Sequence, residues 1–234
     1  ICDIQEKFRP VIWEYASIIS TTQKLLRFAT ILSIPIFVTT QNAARLGPTC
    51  PELNLQHASG ALNGKESEAG NGSGGEIKVV EHVDKTAFSM WIPSISRHFE
   101  GGEKAEIVIV GIESHICVTQ TALDALRAGH RVYVIADGVS SCNREEIPVA
   151  LARLRAEGAV VTSSEKKRGE EWLGMAQEDT THKGGKANLY VLGIGFMYEC
   201  MGDAAIGEFK EVARLVKETQ GVTKESVVTL LSKI

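Results

Sequence analysis

Several features that would point to particular classes of protein are missing from this 234-residue sequence. No apolar run has the length that crosses a bilayer, so we expect no membrane insertion. No basic excess is present, since 25 Lys and Arg stand against 29 Asp and Glu, and we expect no nucleic-acid partner. The five cysteines are odd in number and form no C-x-x-C pair, which argues against a disulfide framework and a structural zinc site.

The same cysteine usage favours a reducing compartment, and we expect a cytoplasmic protein. The sequence opens at Ile1, which we interpret as a trimmed N-terminus, so organelle targeting is left open. A cysteine taken alone is most often a small buried apolar residue. We apply that interpretation to four of the five, namely Cys2, Cys50, Cys142 and Cys200.

What the sequence does contain is a regular alternation of strand-like and helix-like segments. Apolar and β-branched runs predict strands at residues 36–40, 77–83, 107–110, 132–136 and 159–162. Helical periodicity predicts helices at residues 16–32, 91–99, 117–128 and 145–156. Such alternation is typical of βαβ units, so we expect an α/β protein, a three-layer α/β/α sandwich with a parallel, Rossmann-like central sheet.

Some segments depart from this alternation. Residues 60–75 are rich in Gly, Ser and Glu and predict a flexible surface loop. Residues 166–196 predict a polar loop with an added strand at 189–194. Near the end of the sequence, residues 205–217 and 223–231 predict two amphipathic helices.

Cys117 occupies a position that is suited to catalysis. It lies between the strand-like run 107–110 and the helix-like run 119–128. The free backbone N–H groups at the start of a helix stabilise a thiolate and can also hold an oxyanion. A cysteine at such a junction is therefore a candidate nucleophile.

Polar residues at the ends of other predicted strands are expected to meet Cys117 at one edge of the sheet. They are Asp3, Gln41 and Lys85. Asp3 ends an apolar run, where burial of a carboxylate costs free energy unless it is paired with a cation or takes part in catalysis. An aspartate can take the proton of a thiol, and a nearby lysine stabilises the thiolate. For Lys85, spacing alone favours the alternative of a surface charge paired with Asp84.

Ordered motifs in the chain resemble those of the isochorismatase-like cysteine hydrolases, and of these most of all the eukaryotic isochorismatase domain-containing proteins. The motifs are residues 3–9 (DIQEKFR), 84–90 (DKTAFSM) and 111–117 (GIESHIC). The resemblance implies a single hydrolase domain of this fold at residues 1–218, followed by a C-terminal helical tail at 219–234. Relatives lack a counterpart of residues 166–196, which we therefore interpret as an insertion or an artefact of the gene model.

For the site, the resemblance implies a catalytic triad of Asp3, Lys85 and Cys117. It also implies a non-proline cis peptide bond between Ile112 and Glu113. That bond would aim the Glu113 N–H beside the Cys117 N–H, and the two groups would form the oxyanion hole. No cofactor is implied. Members of the superfamily commonly self-associate, so a homo-oligomer that acts on a small-molecule substrate is expected.

Departures from the family pattern limit which metal, substrate and reaction the resemblance implies. Residues 39–43 (TTQNA) replace the Asp-x-His metal motif of nicotinamidase-type relatives, so we predict no metal. Gln41 matches a substrate-facing glutamine of related isochorismatases. True isochorismatases usually lack the cysteine, so Cys117 favours hydrolysis of a C–N bond in a small, non-peptide amide-type substrate. Two alternatives stay open: vinyl-ether hydrolysis with Asp3 as the acid, and a catalytically idle binding or scaffold protein.

Overall fold

The computed structural model describes residues 1–55, 79–164, 196–201 and 206–231. The predicted loop at 60–75, the added strand at 189–194 and nearly all of segment 166–196 lie outside the described residues. The strands are β1 (Ile36–Gln41), β2 (Val79–Lys85), β3 (Glu106–Ile112), β4 (Arg131–Ser140) and β5 (Val160–Thr162). The helices are α1 (Tyr15–Ile31), α2 (Ala43–Leu46), α3 (Pro93–Ser96), α4 (Thr119–Arg127), α5 (Glu146–Ala156), α6 (Phe196–Met201) and α7 (Phe209–Leu231). A π-helical turn, Ser114–Val118, leads directly into α4.

The sheet is parallel throughout its described pairs. β1 pairs with β2, and β4 pairs with both β3 and β5. The N-terminal segment lies between the two groups of strands, because Cys2 forms parallel bridges to Thr39 of β1 and to Gly111 of β3. The spatial order is therefore β2, β1, the N-terminal segment, β3, β4, β5. The carboxyl ends of parallel strands lie along one edge, where ligands usually bind.

Helices cover both faces of the sheet. Successive residues of a strand point to opposite faces, and β4 is buried on both. Val132 and Val134 join a core cluster with residues of α4 and α5. Tyr133 and Ile135 pack instead with residues of α1 and α7. The predicted α/β sandwich with a parallel central sheet is confirmed.

The C-terminal region differs from the prediction. Two helices at 205–217 and 223–231 were expected, but α7 is one continuous helix from Phe209 to Leu231 that runs through Gly221. Its second half packs on α1, where the Thr223 hydroxyl accepts a hydrogen bond from Lys24 Nζ at 2.6 Å and Leu230 is buried. This packing offsets the cost of a glycine inside a helix, which is about 1 kcal/mol. The predicted tail is thus helical to Leu231 and continuous with residues before it.

Other differences are local. β4 is longer than predicted, since it continues to Ser140 through Gly138, where an Asp-Gly pair usually makes a turn, and its register against β3 shifts between Ile109 and Gly111. A Cβ on Gly138 would lie 2.8 Å from Val110 Cγ1, so the close packing on β3 requires glycine. Cys2 and Cys50 are buried as expected, whereas Cys142 and Cys200 are exposed, and their interpretation as buried residues is wrong. Within the described part of the chain, no helix is both long enough and apolar enough to span a membrane.

Candidate active site

The three residues of the predicted triad meet at the carboxyl edge of the sheet. Asp3 follows the central N-terminal segment, Lys85 is the last residue of β2, and Cys117 lies in the π-helical turn after β3. All three are buried, with 1%, 4% and 7% of their surfaces exposed, respectively. Residues that are far apart in sequence come together because parallel strands deliver their last residues to the same edge.

Asp3 is the acidic centre of this cluster. Its Oδ2 accepts a hydrogen bond from Lys85 Nζ at 2.7 Å, and both side chains are 1% exposed. Its Oδ1 accepts a hydrogen bond from the Thr39 hydroxyl at 2.8 Å. A buried carboxylate is stable only when paired and hydrogen-bonded. The arrangement meets both conditions, since the carboxylate is paired with an ammonium and each oxygen accepts a hydrogen bond.

Lys85 is held in place by several acceptors. Besides Asp3, its Nζ donates to Gln41 Oε1 at 2.7 Å and lies 3.1 Å and 3.0 Å from the backbone carbonyls of Ala87 and Phe88. Among the described residues, no hydrogen bond joins this ammonium to the Cys117 sulfur. Lys85 therefore contacts the acid and not the thiol.

Asp84 has partners of its own, so the alternative interpretation of Lys85 as a surface charge paired with Asp84 is wrong. Asp84 Oδ1 accepts hydrogen bonds from the Thr40 hydroxyl and the Ala43 N–H, both at 2.8 Å. These two bonds lower the pKa of Asp84 from its ordinary value, with the Ala43 N–H contributing most. Asp84 and Lys85 are adjacent in β2, so their side chains point to opposite faces.

Gln41 is brought to the site as a neighbour of Lys85. Its Oε1 accepts the Lys85 hydrogen bond, and its Nε2 donates to the Thr86 carbonyl at 2.9 Å. Both ends of the amide are thus engaged in fixing the lysine and the segment that follows β2. Contact of Gln41 with a substrate stays a prediction.

The segment that carries the nucleophile candidate has an unusual backbone. The Ile112–Glu113 peptide bond is cis, at the position where the resemblance implies one. The Glu113 carboxylate accepts a hydrogen bond from the Cys142 N–H at 2.9 Å, which ties the segment to the end of β4. Gly111 has a φ of +124°, and a Cβ there would lie 2.0 Å from the Cys2 carbonyl oxygen. Only glycine fits at this point.

Cys2 belongs to the site, although sequence reasoning did not include it. Cys2 Sγ, Cys117 Sγ and a carboxylate oxygen of Asp3 all lie within 4.8 Å of one another. Cys2 is fully buried, and its thiol donates to Asp3 Oδ2 at 3.6 Å. Burial raises the pKa of the Cys2 thiol well above its ordinary value, and the neighbouring Cys117 thiol and the charge of Asp3 act in the same direction.

From the sequence, Cys2 is interpreted as a small buried apolar residue, and strand alternation does not place it beside Asp3. Neighbouring residues of a strand face opposite sides, which would put Cys2 away from the carboxylate of Asp3. Asp3 has a φ of 51°, however, so the chain leaves strand geometry there and the two side chains come together. Thr39 lies in a run of β-branched residues and carries no signal beyond strand propensity.

Two groups of ligand-type side chains in the described residues are close enough to hold a metal ion. They are Cys2 with Asp3 and Cys117, and Glu6 with Cys50 and Glu52. In the first group the Lys85 ammonium already neutralises Asp3, so a divalent cation would lie beside a like charge. In the second, Glu52 is bound to Arg9 at 2.6 Å. The prediction that the protein uses no metal stays a prediction.

Comparisons with known proteins agree on one family. A family model described as "Isochorismatase domain" matches residues 1–166. The secreted isochorismatase effector Isc1 of Phytophthora sojae is 31% identical over 222 residues, which are 93% of this chain and 83% of that protein. The mouse isochorismatase domain-containing protein 2A is 31% identical over 219 residues, which are 93% of this chain and 81% of that protein.

Solved structures show the same fold. The MAR1 ribonuclease from Caenorhabditis elegans has a TM-score of 0.65 and 30% identity, and the match covers 92% of this chain and 86% of that one. The YcaC gene product of Escherichia coli, described as an octameric hydrolase of unknown specificity, has a TM-score of 0.56 and 19% identity. That match covers 69% of this chain and 72% of the other, and at this identity it shows the fold alone.

Proposed function

The chain belongs to the isochorismatase family, and from that premise we propose that it is a cysteine hydrolase that cleaves a C–N bond of a small amide-type substrate. The observation that carries the proposal is the buried cluster of Cys117, Asp3 and Lys85. A thiol lies within 4.8 Å of a carboxylate oxygen, and an ammonium contacts the same carboxylate at 2.7 Å. A nucleophile next to a base that a third group orients is the pattern of covalent catalysis.

In the proposed first step, the Cys117 thiol transfers its proton to the Asp3 carboxylate. The thiolate then attacks the carbonyl carbon of the substrate, and the carbonyl π electrons move to oxygen to give a tetrahedral oxyanion. When this intermediate collapses, the C–N bond breaks and the departing nitrogen takes the proton back from Asp3. Water, activated by the same carboxylate, hydrolyses the thioester, which releases the acid and restores the thiol.

Lys85 is a positioning residue in this scheme. Its ammonium holds the Asp3 carboxylate and offsets its charge, while Gln41 and the Phe88 carbonyl hold the ammonium. Its field also favours the thiolate without a hydrogen bond to sulfur. The lysine thereby keeps the acid ready to accept a proton in a buried site.

The backbone N–H groups of Glu113 and Cys117 are proposed to hold the oxyanion. Support comes from the hydrogen bond between the Cys142 N–H and the Glu113 carboxylate, which ties this segment to the end of β4. Removing one donor from an oxyanion hole typically costs about 10²–10³ in rate.

A panel of small amides, ureas and carbamates, assayed with the wild type and Cys117→Ala, tests the chemistry. We expect Cys117→Ala to abolish hydrolysis. Cys50→Ser is the matched control, because Cys50 is also a buried thiol but contacts Glu52 outside the site; it should retain activity. Amide hydrolysis that survives Cys117→Ala would refute the proposed nucleophile.

The same panel separates the alternatives. Isochorismate cleavage that persists in Cys117→Ala would favour vinyl-ether hydrolysis with Asp3 as the acid. No turnover, together with iodoacetamide labelling of Cys117 no faster than that of Cys50, would favour an idle binding or scaffold protein. RNA is included because the nematode relative bears the name ribonuclease. The net charge of −4 argues against strong phosphate binding, and we expect no RNA cleavage.

We further propose that the protein needs no added cofactor and that it works in a reducing compartment such as the cytoplasm. We also propose that it is a homo-oligomer, like the bacterial structural relative that is described as an octamer. Light scattering on the full chain tests the oligomeric state. The expected mass is a multiple of 25.4 kDa, and a monomer at micromolar concentration would refute it.

A further inference from the structure

Two thiols share the proposed active site, although the proposed reaction uses only one of them. Cys2 and Cys117 are both buried, and their sulfur atoms lie within 4.8 Å of each other. A disulfide bond requires about 2.05 Å between sulfurs. Rotating a cysteine side chain between two staggered rotamers moves its sulfur by about the remaining distance. Formation of the bond thus requires at least one of the two side chains to change rotamer.

We infer that Cys2 and Cys117 form a reversible redox pair, in which a hydroperoxide oxidises Cys117 and Cys2 then closes a disulfide that switches the site off. Its regulatory meaning rests on the proposed function, since only a nucleophilic Cys117 would be silenced by it. The same site would thus catalyse hydrolysis and also be open to oxidative modification.

The chemistry balances in two steps. The Cys117 thiolate, whose proton has passed to Asp3, attacks the peroxide and the O–O bond breaks. The leaving oxygen takes the proton from Asp3, so the products are a Cys117 sulfenic acid and an alcohol or water. Cys2 sulfur then attacks the Cys117 sulfur, the S–O bond breaks, and water leaves as the disulfide forms. The two thiols together lose two electrons and two protons, and the hydroperoxide is reduced. A dithiol reductant reverses the change by exchange.

Asp3 gives the two cysteines different roles. Cys2 Sγ donates to Asp3 Oδ2 at 3.6 Å, so the carboxylate is placed to take the Cys2 proton once a sulfenic acid is present. Until then Cys2 stays protonated, because burial raises the pKa of its thiol well above the ordinary value. Cys117 has 7% of its surface exposed, whereas Cys2 is fully buried. Cys117 is therefore oxidised first, and Cys2 resolves it.

Peptide mapping of the full chain after hydrogen peroxide tests the inference without a substrate. Trypsin releases Cys117 in the peptide 105–127 and Cys2 in a peptide that ends at Lys7. We expect these two peptides to be linked in non-reducing conditions, with loss of about two titratable thiols per chain. Dithiothreitol should separate the peptides and restore both thiols.

Variants assign the role of Cys2. Cys50→Ser should behave as the wild type. Cys2→Ala removes one sulfur; in it Cys117 should pass to the sulfinic acid, which dithiothreitol does not reverse. Sulfinic Cys117 in the wild type with no linked peptide, or a link from Cys117 to another cysteine, overturns the inference. The wild-type mapping decides this even if Cys2→Ala does not fold.

The two proposals fail in different ways. Hydrolysis that depends on Cys117, with no linked peptide after peroxide, refutes the redox pair and leaves the hydrolase intact. A linked peptide in a protein that turns over none of the substrates refutes the hydrolase and supports the pair. In an active protein, activity should fall in proportion to the linked fraction and return with dithiothreitol.

Discussion

The buried pair of Asp3 and Lys85 leads to a sharp prediction about stability. In Lys85→Met the ammonium is lost, and the 1%-exposed carboxyl group of Asp3 is left buried without a counter-ion. Removing one member of a buried ion pair typically costs about 3–5 kcal/mol. The lost hydrogen bonds to Gln41 and the Phe88 carbonyl act in the same direction. We expect the free energy of unfolding of Lys85→Met to fall by about 4 kcal/mol.

A second substitution tests the cause. Asp3→Asn removes the charge but keeps a residue that tolerates the φ of 51° at this position. In the double variant no uncompensated charge remains, so it should be more stable than Lys85→Met alone. The coupling energy calculated from the wild type, the two single variants and the double variant separates the interaction between Asp3 and Lys85 from the other effects of each substitution.

Urea unfolding at pH 7 measures these energies. The surface pair of Arg127 and Asp124 is the control, because its side chains are 72% and 35% exposed and lie 2.9 Å apart. Arg127→Met should cost less than about 1 kcal/mol. A Lys85→Met protein as stable as Arg127→Met, or a double variant less stable than Lys85→Met, would refute the reasoning.

Two further predictions follow from the backbone and from Asp84. Gly111→Ala should cost several kcal/mol by urea unfolding, since its Cβ would lie 2.0 Å from the Cys2 carbonyl oxygen. Gly158→Ala is the control, because Gly158 also has a positive φ, +99°, but no atom lies within 4 Å of an added Cβ. Its free energy of unfolding should fall by only about 1 kcal/mol. Equal losses in the two variants would contradict the close approach of Gly111 to the Cys2 carbonyl oxygen. The hydrogen bond from the Ala43 N–H lowers the pKa of Asp84 in the folded protein. The ionised carboxylate therefore stabilises the fold at pH values above the unfolded-state pKa of about 3.9. This stabilisation is lost as the pH falls through the lower pKa of the folded state. Melting temperatures from pH 5 to pH 2 should therefore fall less steeply in Asp84→Asn than in the wild type, and parallel curves would contradict the assignment.

Elements with local signals could be predicted from the amino-acid sequence alone. Helix α5, predicted at 145–156, spans Glu146–Ala156, and β1, predicted at 36–40, spans Ile36–Gln41. Apolar periodicity sets such elements because each residue's face follows from its place in the repeat. The alternation of strands and helices was likewise enough for a parallel sheet, and the ordered motifs were enough for the family.

The same local signals failed where contacts between distant elements decide the outcome. The single helix α7 depends on packing against α1, which its own sequence around Gly221 does not reveal. The last residues of β4 pair with Gly111 and Ile112 of β3, a contact that the local Asp-Gly signal does not reveal. Exposure of Cys142 depends on where the end of β4 lies, and a thiol carries no signal of its own.

At the site, the sequence named Asp3, Lys85 and Cys117, but the tertiary structure decided how they are connected. Spacing favoured Asp84 as the partner of Lys85, whereas the parallel pairing of β1 with β2 puts that lysine against Asp3. Strand alternation would separate Cys2 from Asp3, yet Asp3 has a left-handed φ, and the Cys2 thiol lies close to both the Asp3 carboxylate and the Cys117 thiol. A sequence records which groups are present. Which of them lie within a few ångströms depends on a backbone conformation at one residue and on a neighbouring strand, and those exist only once the chain has folded.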